Sequence, residues 1–311
     1  MISIVIPVYN RAEMVKATLE SVRRQTHRPL HLVLVDNYSS DNTLQVLQNF
    51  KEENETSDFK IDVTEEKTPG ACAARNAGAK LVKSEWLMFF VSDDTMDDCL
   101  VTEYVKKINQ YGNDIDVVTT NIDFNKEGDV SHAFFARKDF FENHIFHACL
   151  STQRYKIKRS LFEKTGGWDN DVKCWNDWEL GIRILLQEPR ISVVDDGVYV
   201  HVHVHSESIT GESYSEKNEL AKGVLECVVD LIELSNHDRK EQFLKNLIYK
   251  KVRLAGLYMQ EGQKKLSKEL FGEVCRELRG QMWLKIFYRL MYKYVCLGGR
   301  GSQRIVKHLV K

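Results

Sequence analysis

The feature that most constrains the fold is an apolar run that stops abruptly at two aspartates. Residues 86–91 (WLMFFV) have no helical period, and Ser92, Asp93, Asp94 and Thr95 follow directly. Such a run predicts a strand buried in a sheet that is covered on both faces. Open α/β sheets bind ligands at the carboxyl ends of their strands, and paired carboxylates there suit a divalent metal carrying phosphate. The alternative is a solvated turn in which an aspartate caps the next helix.

Strands and helices alternate through the first hundred residues. Apolar β-branched runs at 2–8, 32–35 and 59–63 predict strands, and apolar residues with helical spacing lie between them. Strands separated by helices predict a mostly parallel, Rossmann-like sheet with right-handed crossovers, which is an α/β fold.

The pattern changes after residue 112. Residues 115–124 and 130–136 predict an antiparallel hairpin, 177–186 a helix, and 191–194 and 198–204 further strands. From about residue 215 the apolar period is helical. We therefore expect an α/β domain at 1–214, with halves at about 1–112 and 113–214, and a helical carboxy-terminal region at 215–311.

Composition narrows the class of protein. The chain has 311 residues, of which 43% are hydrophobic, and its net charge of −1 gives no sign of a nucleic-acid partner. Seven cysteines without a C-x-x-C pair fit reduced thiols better than disulfides or a zinc ribbon. The sequence shows no signal peptide and no run of 18 apolar residues. These features predict a cytoplasmic protein.

The carboxy-terminal segment differs from the rest in charge. From Gln281 to Lys311 there are seven lysines and arginines and no acidic residue. Apolar side chains at 287, 290, 291, 294 and 295 share one helical face, and basic side chains at 285, 289 and 293 follow another. Residues 282–311 could therefore lie on the inner face of an anionic membrane. The alternatives are packing onto other helices and a homodimer contact.

Several polar and aromatic residues stand at predicted strand ends. Tyr9 could pack on a nucleobase while Asp36 accepts its imide hydrogen, although a turn with an Asx hydrogen bond explains Asp36 equally well. Residues 70–78 (GACAARNAG) lack the spacing of a P-loop. Their small side chains suit close packing on the sheet, which leaves Arg75 available for a phosphate or ribose.

Five segments, in order, resemble the inverting glycosyltransferases of family 2, which have the GT-A nucleotide-diphosphosugar fold. They are IVIPVYNR at 4–11, VLVDNYSSDNT at 33–43, residues 70–78, FVSDD at 90–94 and CWNDWEL at 174–180. The resemblance covers residues 1 to about 210. It implies an enzyme that transfers a sugar from a UDP-sugar.

The resemblance also implies residue roles. Nucleotide contacts fall on Pro7, Tyr9, Asn10, Asp36, Arg75, Ser92 and Asp93. Asp93 matches the second aspartate of the D-x-D element, so Asp93, Asp94 and His205 become the candidate ligands of Mn²⁺ or Mg²⁺. Asp177 matches the general base that deprotonates the acceptor hydroxyl.

Three positions depart from the family pattern. Val91 replaces the first aspartate of D-x-D, Asn37 replaces a second aspartate after Asp36, and Asn176 replaces a glutamate before the base. His201, His203 and His205 alternate along a predicted strand, so a three-histidine zinc site is conceivable. A half-buried strand with its polar face outward is the simpler interpretation.

The sequence thus predicts a metal-dependent inverting hexosyltransferase. It would use a UDP-sugar and a saccharide or lipid-linked saccharide acceptor, and surface-polysaccharide assembly is the natural setting. One alternative is a nucleotide-sugar-binding protein with weak or no transfer, which Val91 motivates. A nucleotidyltransferase is a second, but it would need a basic glycine-rich loop where residues 7–10 (PVYN) stand.

Overall fold

The structure is a computed structural model, described for residues 1–135, 138–204, 213–299, 301 and 305–306. The chain forms two compact units. Unit 1 comprises Met1–Lys138 and Cys149–Glu207, and unit 2 comprises Asp139–Ala148 and Ser208–Lys311. The segment 139–148 thus groups with the carboxy-terminal helices, although it interrupts the α/β unit in sequence.

The amino-terminal half of unit 1 is a parallel sheet with helical crossovers. Its strands run in the spatial order β3-β2-β1-β4, and every neighbouring pair is parallel. The elements are β1 (Ile2–Val8), α1 (Val15–Arg23), β2 (Leu30–Asp36), α2 (Thr43–Asn54), β3 (Phe59–Glu65), α3 (Ala71–Leu81) and β4 (Trp86–Phe89). The four predicted strands are present, and this half has the predicted parallel arrangement.

The continuous apolar character of β1 follows from burial on both faces of the sheet. Ile4 and Ile6 join the core cluster that contains residues of α1, while Val5 faces α3. A Cβ atom on Gly78 of α3 would collide with the side chains of Val5 and Val35. Glycine at this position therefore allows α3 to approach the sheet closely.

The second half of unit 1 is mixed. Its elements are β5 (Thr95–Met96), α4 (Leu100–Tyr111), β6 (Val117–Lys126), β7 (Asp129–Ala133), β8 (Tyr155–Lys158), α6 (Arg159–Lys164), α7 (Asn176–Leu185) and β9 (Ile191–His203), with 3₁₀ turns at Gly112–Asp114 and Thr152–Arg154. The predicted hairpin is confirmed, since β6 and β7 pair antiparallel. The two strands expected near 191–194 and 198–204 form the single strand β9, which shifts register opposite Thr120 and Asn121.

The sequence pattern missed β8. This strand pairs antiparallel with both β4 and β6 and so joins the two halves of the sheet, giving the order β3-β2-β1-β4-β8-β6-β9-β5. It is only four residues long, although the alternation of apolar and polar residues in its sequence, YKIK, was an available signal. The predicted fold class is confirmed as a mixed α/β structure flanked by helices, with a carboxy-terminal helical region.

Unit 2 is helical, and its longest helix lies at the centre. It contains α5 (Phe140–His147), α8 (Asn218–Leu234), α9 (Lys240–Gln260), α10 (Lys264–Glu277) and α11 (Met282–Cys296). Helix α9 contacts each of the other four. Phe141 of α5 stacks on Phe243 of α9 with ring centroids 3.8 Å apart, and the Ser267 hydroxyl of α10 donates to the Ala255 carbonyl. Within the described residues, no helix is long and apolar enough to cross a bilayer.

Candidate active site

Three strand ends meet at one edge of the parallel sheet. Strand β1 lies between β2 and β4, so that Val8 is opposite Asp36 and Val5 is opposite Phe89. The backbone continues this pairing beyond the strands, because the Phe90 amide donates to the Val5 carbonyl at 2.9 Å. The polar residues after β1, β2 and β4 therefore share the edge at which parallel sheets place ligands.

Asp36 ends β2 as a deeply buried carboxylate with one unsatisfied oxygen. The residue is 1% exposed, and its Oδ2 accepts a hydrogen bond from the Ser39 amide at 3.0 Å. Its Oδ1 is buried without a hydrogen-bond partner in the described part of the chain. A buried acceptor without a donor is costly, so this oxygen suits a ligand N–H group.

Two exposed tyrosines follow the neighbouring strands β1 and β2, the second of which ends at Asp36. Tyr9 follows β1 and is 58% exposed, and Tyr38 follows β2 and is 61% exposed with a left-handed backbone (φ 60°). The Lys67 ammonium lies 5.9 Å from the centroid of the Tyr38 ring. Sequence reasoning chose Tyr9 but missed Tyr38, although its position two residues after Asp36 was an available signal. Both rings offer a face on which a planar base can stack.

Asn10 holds the ends of β1 and β2 together. Its side-chain oxygen accepts a hydrogen bond from the Ser40 backbone N–H at 2.8 Å, and the backbone N–H of Asn10 donates to the Ser39 hydroxyl at 3.0 Å. Pro7 lies opposite Val35 in the sheet. The structure therefore places Pro7, Tyr9 and Asn10 beside the strand that carries Asp36.

The two aspartates after β4 have different surroundings. Ser92 and Asp93 are partly exposed, whereas Asp94 is 2% exposed. The carboxylate of Asp94 accepts hydrogen bonds from the His203 amide at 3.0 Å and from Gln153 Nε2 at 2.9 Å. Burial, together with the neighbouring charge of Asp93, raises the pKa of Asp94 to about 8.

Only part of the expected metal site falls within the described residues. His205 lies outside the described residues. Among the described residues, no group of three histidine, cysteine, aspartate or glutamate side chains has an arrangement that could hold a metal ion. The two histidines of β9 have protein partners: His201 bridges Asp97 and Asp123 at 3.1 and 3.0 Å, and His203 contacts the Thr95 hydroxyl at 3.0 Å.

Arg75 is the buried cation of the site. It lies on α3, is 6% exposed, and its guanidinium carbon is 4.4 Å from the centroid of the Trp168 ring. Burial lowers the pKa of Arg75, while the carboxylates of Asp177 and Asp93 act in the opposite direction. Its Nη1 donates to Asn176 Oδ1 at 3.4 Å, and its Nε is buried without a partner among the described residues.

Asp177 enters the site from the first turn of α7. Its Oδ1 accepts a hydrogen bond from the Trp178 amide at 2.8 Å, and the residue is partly exposed. Asn176, the residue before Asp177, accepts a hydrogen bond from Arg75 Nη1 at 3.4 Å, so the start of α7 lies beside α3.

Two ties fix the loop before α7. Asn76 of α3 donates to the Trp168 carbonyl at 2.7 Å and accepts from the Trp168 amide at 2.9 Å. Arg183 of α7 forms a bidentate ion pair with buried Glu179 and donates to the Thr165 and Gly167 carbonyls, each at 2.6 Å. Sequence reasoning missed Glu179 and Arg183, although an acid and an arginine four residues apart on an apolar helix were a signal.

Comparison with known proteins decides the family. The model of Glycosyl transferase family 2 matches residues 3–165, which is more than half of the chain. The chain belongs to glycosyltransferase family 2. This confirms the resemblance seen in the sequence. The matched region includes Asp36, Arg75 and Asp93 but ends before Asp177.

Relatives and solved structures agree with the family. An uncharacterized glycosyltransferase of Haemophilus influenzae is 29% identical over 61% of this chain and 63% of its own length. A PGL/p-HBAD biosynthesis glycosyltransferase of Mycobacterium bovis is 28% identical over 66% of this chain and 76% of its own length. The chain therefore spans somewhat less than two thirds of the Haemophilus relative.

The solved structures show the GT-A fold. S. aureus TarS 1–349 in complex with UDP-GlcNAc aligns with a TM-score of 0.68 at 17% identity, covering 96% of this chain and 92% of that chain. The mannosyltransferase PcManGT of Pyrobaculum calidifontis, in complex with GDP-Man and Mn²⁺, aligns with a TM-score of 0.60 at 15% identity, covering 100% of this chain and 87% of that chain.

One departure from the family pattern has a structural reason. Asn37 donates from Nδ2 to the Glu66 and Thr68 carbonyls at 2.8 and 2.9 Å, and its Oδ1 accepts from the Gly70 amide at 2.8 Å. An aspartate could not donate to the two carbonyls when ionised. In this family 2 chain, Asn37 thus holds the loop that leads into α3 and Arg75.

Proposed function

We propose that this protein transfers a sugar from a UDP-sugar to a hydroxyl group of a saccharide or lipid-linked saccharide, with inversion at the anomeric carbon. Family membership supports a glycosyltransferase, and the complexes of TarS with UDP-GlcNAc and of PcManGT with GDP-Man support a nucleotide-sugar donor. We also assign it to surface-polysaccharide assembly in the cytoplasm, by analogy with the family.

The single observation that carries the proposal is the hydrogen bond from Arg75 Nη1 to Asn176 Oδ1 at 3.4 Å. It joins α3, in the family-matched region, to the start of α7, where Asp177 follows Asn176. The transfer needs a donor-side carboxylate near the diphosphate and an acceptor-side carboxylate near the attacking hydroxyl. We assign the first role to Asp93 and the second to Asp177.

The reaction itself needs one base. Asp177 takes the proton of the acceptor hydroxyl as the acceptor oxygen forms its bond to the anomeric carbon. The bond from that carbon to the diphosphate oxygen breaks, and its electron pair leaves with UDP. A positioned carboxylate contributes roughly 10²–10⁴-fold as a general base. A single attack opposite the leaving group inverts the configuration, in contrast to the paired carboxylates of glycosidases.

The donor set of the site fits a hard divalent cation. Mg²⁺ and Mn²⁺ bind through one or two carboxylates together with substrate phosphates, so a cage of three protein ligands is not required. Asp93 would hold the ion, and Asp94, whose oxygens already accept two hydrogen bonds, would fix the loop and supply a second oxygen. When bound, the ion neutralises charge that develops on the leaving diphosphate.

The nucleoside would lie at the ends of β1 and β2. The unsatisfied Oδ1 of Asp36 matches the imide N–H of uracil, and the exposed ring of Tyr9 offers a stacking face. Asn10 and Ser92 lie on the same edge and contribute further polar contacts. Arg75 then offsets the negative charges of the diphosphate and of the general base, Asp177.

Asp177→Asn tests the proposal directly. Asparagine keeps an oxygen that can accept from the Trp178 amide but is not a base, so the loop is preserved while proton transfer is lost. We expect UDP release from UDP-glucose or UDP-N-acetylglucosamine, with a panel of saccharide acceptors, to fall at least about 100-fold. Calorimetry should show UDP affinity within about threefold of wild type, well below one tenfold step.

Asp171→Asn is the matched control, because Asp171 is exposed in the loop that precedes α7. It should keep wild-type transfer. Full turnover by Asp177→Asn would remove Asp177 from the base role. If the wild-type protein binds UDP with Mn²⁺ but releases none from any donor, the nucleotide-sugar-binding alternative is correct.

A further inference from the structure

Helix α11 carries two apolar faces, one of which is buried and the other largely exposed. Phe287, Tyr288 and Val295 are buried, and Tyr288 donates to the Lys245 carbonyl of α9 at 3.1 Å. The sequence had grouped Leu290 and Tyr294 with Phe287 on one face. In the structure, Leu290 is 58% exposed and Tyr294 is 42% exposed. Packing onto the other helices therefore does not account for the whole apolar surface of α11.

The second face forms a continuous ridge. Trp283, Ile286, Leu290 and Tyr294 are spaced three or four residues apart and are all exposed, and we call them the outer ridge. Ile286 is 55% exposed. Trp283 stacks on Phe287 with the rings nearly parallel at 5.6 Å, so it is held in place while still exposed. Large apolar side chains that share one exposed face indicate a binding surface for a protein, a membrane or a ligand.

Charge identifies the partner. Arg289 and Lys293 are exposed one turn apart beside the outer ridge, and Lys285 precedes them by four residues. The sequence from 281 to 311 contains seven basic residues and no acidic one. A partner that accepts both a row of apolar side chains and a row of cations is an anionic lipid surface. Trp283 and Tyr294 suit the headgroup level, where one part of the ring is apolar and another is wet.

A second copy of the chain fits this face less well. A symmetric dimer through the outer ridge would place the same patch of each copy against the other, and with the two helices antiparallel the basic row of one copy would lie along the basic row of the other. Like charges brought together in this way are unfavourable. The 15-residue length of α11 corresponds to about 22 Å, which is shorter than the ~30 Å hydrocarbon core. The helix would therefore lie along a bilayer surface.

We propose that the outer ridge and basic row of α11 bind the surface of a membrane containing anionic lipids. The binding surface lies wholly on the helical unit and does not depend on the proposed transfer reaction. Its function would be to hold the enzyme at the surface where a lipid-linked acceptor is present.

Vesicle sedimentation tests the apolar part. The full chain should pellet with vesicles of phosphatidylcholine and phosphatidylglycerol in equal parts, but not with pure phosphatidylcholine. Ile286→Ser with Leu290→Ser should lower the partition coefficient at least about tenfold, because each loses an apolar side chain available for burial. Leu220→Ser with Leu234→Ser is the control, since these exposed leucines lie on α8 away from the ridge in sequence, and it should bind as wild type.

A second pair of variants tests the charges. Arg289→Gln with Lys293→Gln should weaken binding to the anionic vesicles about 30-fold, from the usual contribution of each basic residue near such a surface. Lys264→Gln with Lys268→Gln removes two exposed charges with the same spacing on α10 and should change binding less than about threefold. Unchanged thermal unfolding of each variant shows that the fold is retained.

Two results would overturn the proposal. One is failure of the full chain to bind anionic vesicles, or binding that the ridge variants leave unaltered. The other is a dimer by light scattering that Ile286→Ser with Leu290→Ser converts to a monomer, because the outer ridge would then be an interface between copies.

Discussion

The guanidinium carbon of Arg75 lies 4.4 Å from the centroid of the Trp168 ring. This contact places a helix residue from the amino-terminal half against a loop residue more than ninety positions later. The backbone amide and carbonyl of Trp168 both form hydrogen bonds with the side chain of Asn76, the residue that follows Arg75. Arg75 and Asn76 of α3 therefore hold the loop before α7 at Trp168.

Arg75→Lys should impair transfer while keeping the positive charge. Lysine lacks the planar guanidinium that lies over Trp168 and donates to Asn176. We expect kcat/KM for the nucleotide sugar to fall at least about tenfold, equivalent to about 1.4 kcal/mol of transition-state stabilisation. Arg23→Lys, at an exposed ion pair with Glu20, is the control and should be unchanged. Equal kinetics for both variants would contradict the role given to Arg75.

Asn37→Asp should destabilise the loop before α3. The two bonds donated to the Glu66 and Thr68 carbonyls would be lost, and a carboxylate would face both oxygens. An unsatisfied buried group costs about 1–3 kcal/mol, so the free energy of unfolding in urea should decrease by about that amount. Asn42→Asp changes an exposed residue nearby and should have little effect. Equal stability of the two variants would show that the loop does not need these donors.

Arg183→Lys should act on the reaction through position. Arg183 does not belong to the reacting groups, but it donates to the Thr165 and Gly167 carbonyls and thereby fixes the loop that carries Trp168. Lysine cannot make the forked pair with Glu179 and reach both carbonyls. We expect kcat to fall about 10–100-fold with UDP affinity nearly unchanged, since small displacements are costly at the reacting centre. Arg190→Lys, at an exposed arginine, should retain activity; a purely structural role for Arg183 would lower stability without this split.

Lys156→Met should stabilise the protein. Lys156 is fully buried on β8, its Nζ has no hydrogen-bond partner among the described residues, and the ammonium lies 5.2 Å from the Tyr104 ring centroid. Burial lowers the pKa of Lys156 well below its ordinary value. Each unit of lowering corresponds to about 1.4 kcal/mol of lost stability at low pH, so unfolding in urea should require more denaturant for the variant.

The pH dependence of this difference follows from the sign of the shift. Between the folded pKa and the ordinary value of 10.5, the unfolded chain binds more protons at Lys156 than the folded chain does. The stability of the wild-type protein therefore rises with pH in that interval, and the advantage of Lys156→Met should shrink between about pH 8 and pH 10. An advantage that stays constant over this range would show that Lys156 does not titrate with a lowered pKa.

The sequence alone determined the parallel half of the fold, because burial on both faces leaves continuous apolar strands and the crossover helices leave a helical period. It also pointed to Asp36, Asp93 and Asp177, since polar residues at strand ends and family motifs are local signals. For α11, the sequence showed an amphipathic helix but not which of its apolar residues are buried.

Only the tertiary structure decided how these pieces meet. Strand β8 is only four residues long, yet it joins the halves of the sheet. Tyr38 lies near Lys67, and Arg183 donates to the Thr165 and Gly167 carbonyls, contacts that their own local sequence does not reveal. Asn37 likewise donates to the carbonyls of Glu66 and Thr68, which are 29 and 31 residues away in the chain. Periodicity reports whether a side chain is buried but carries no information about its partner, and partners are set by long-range packing.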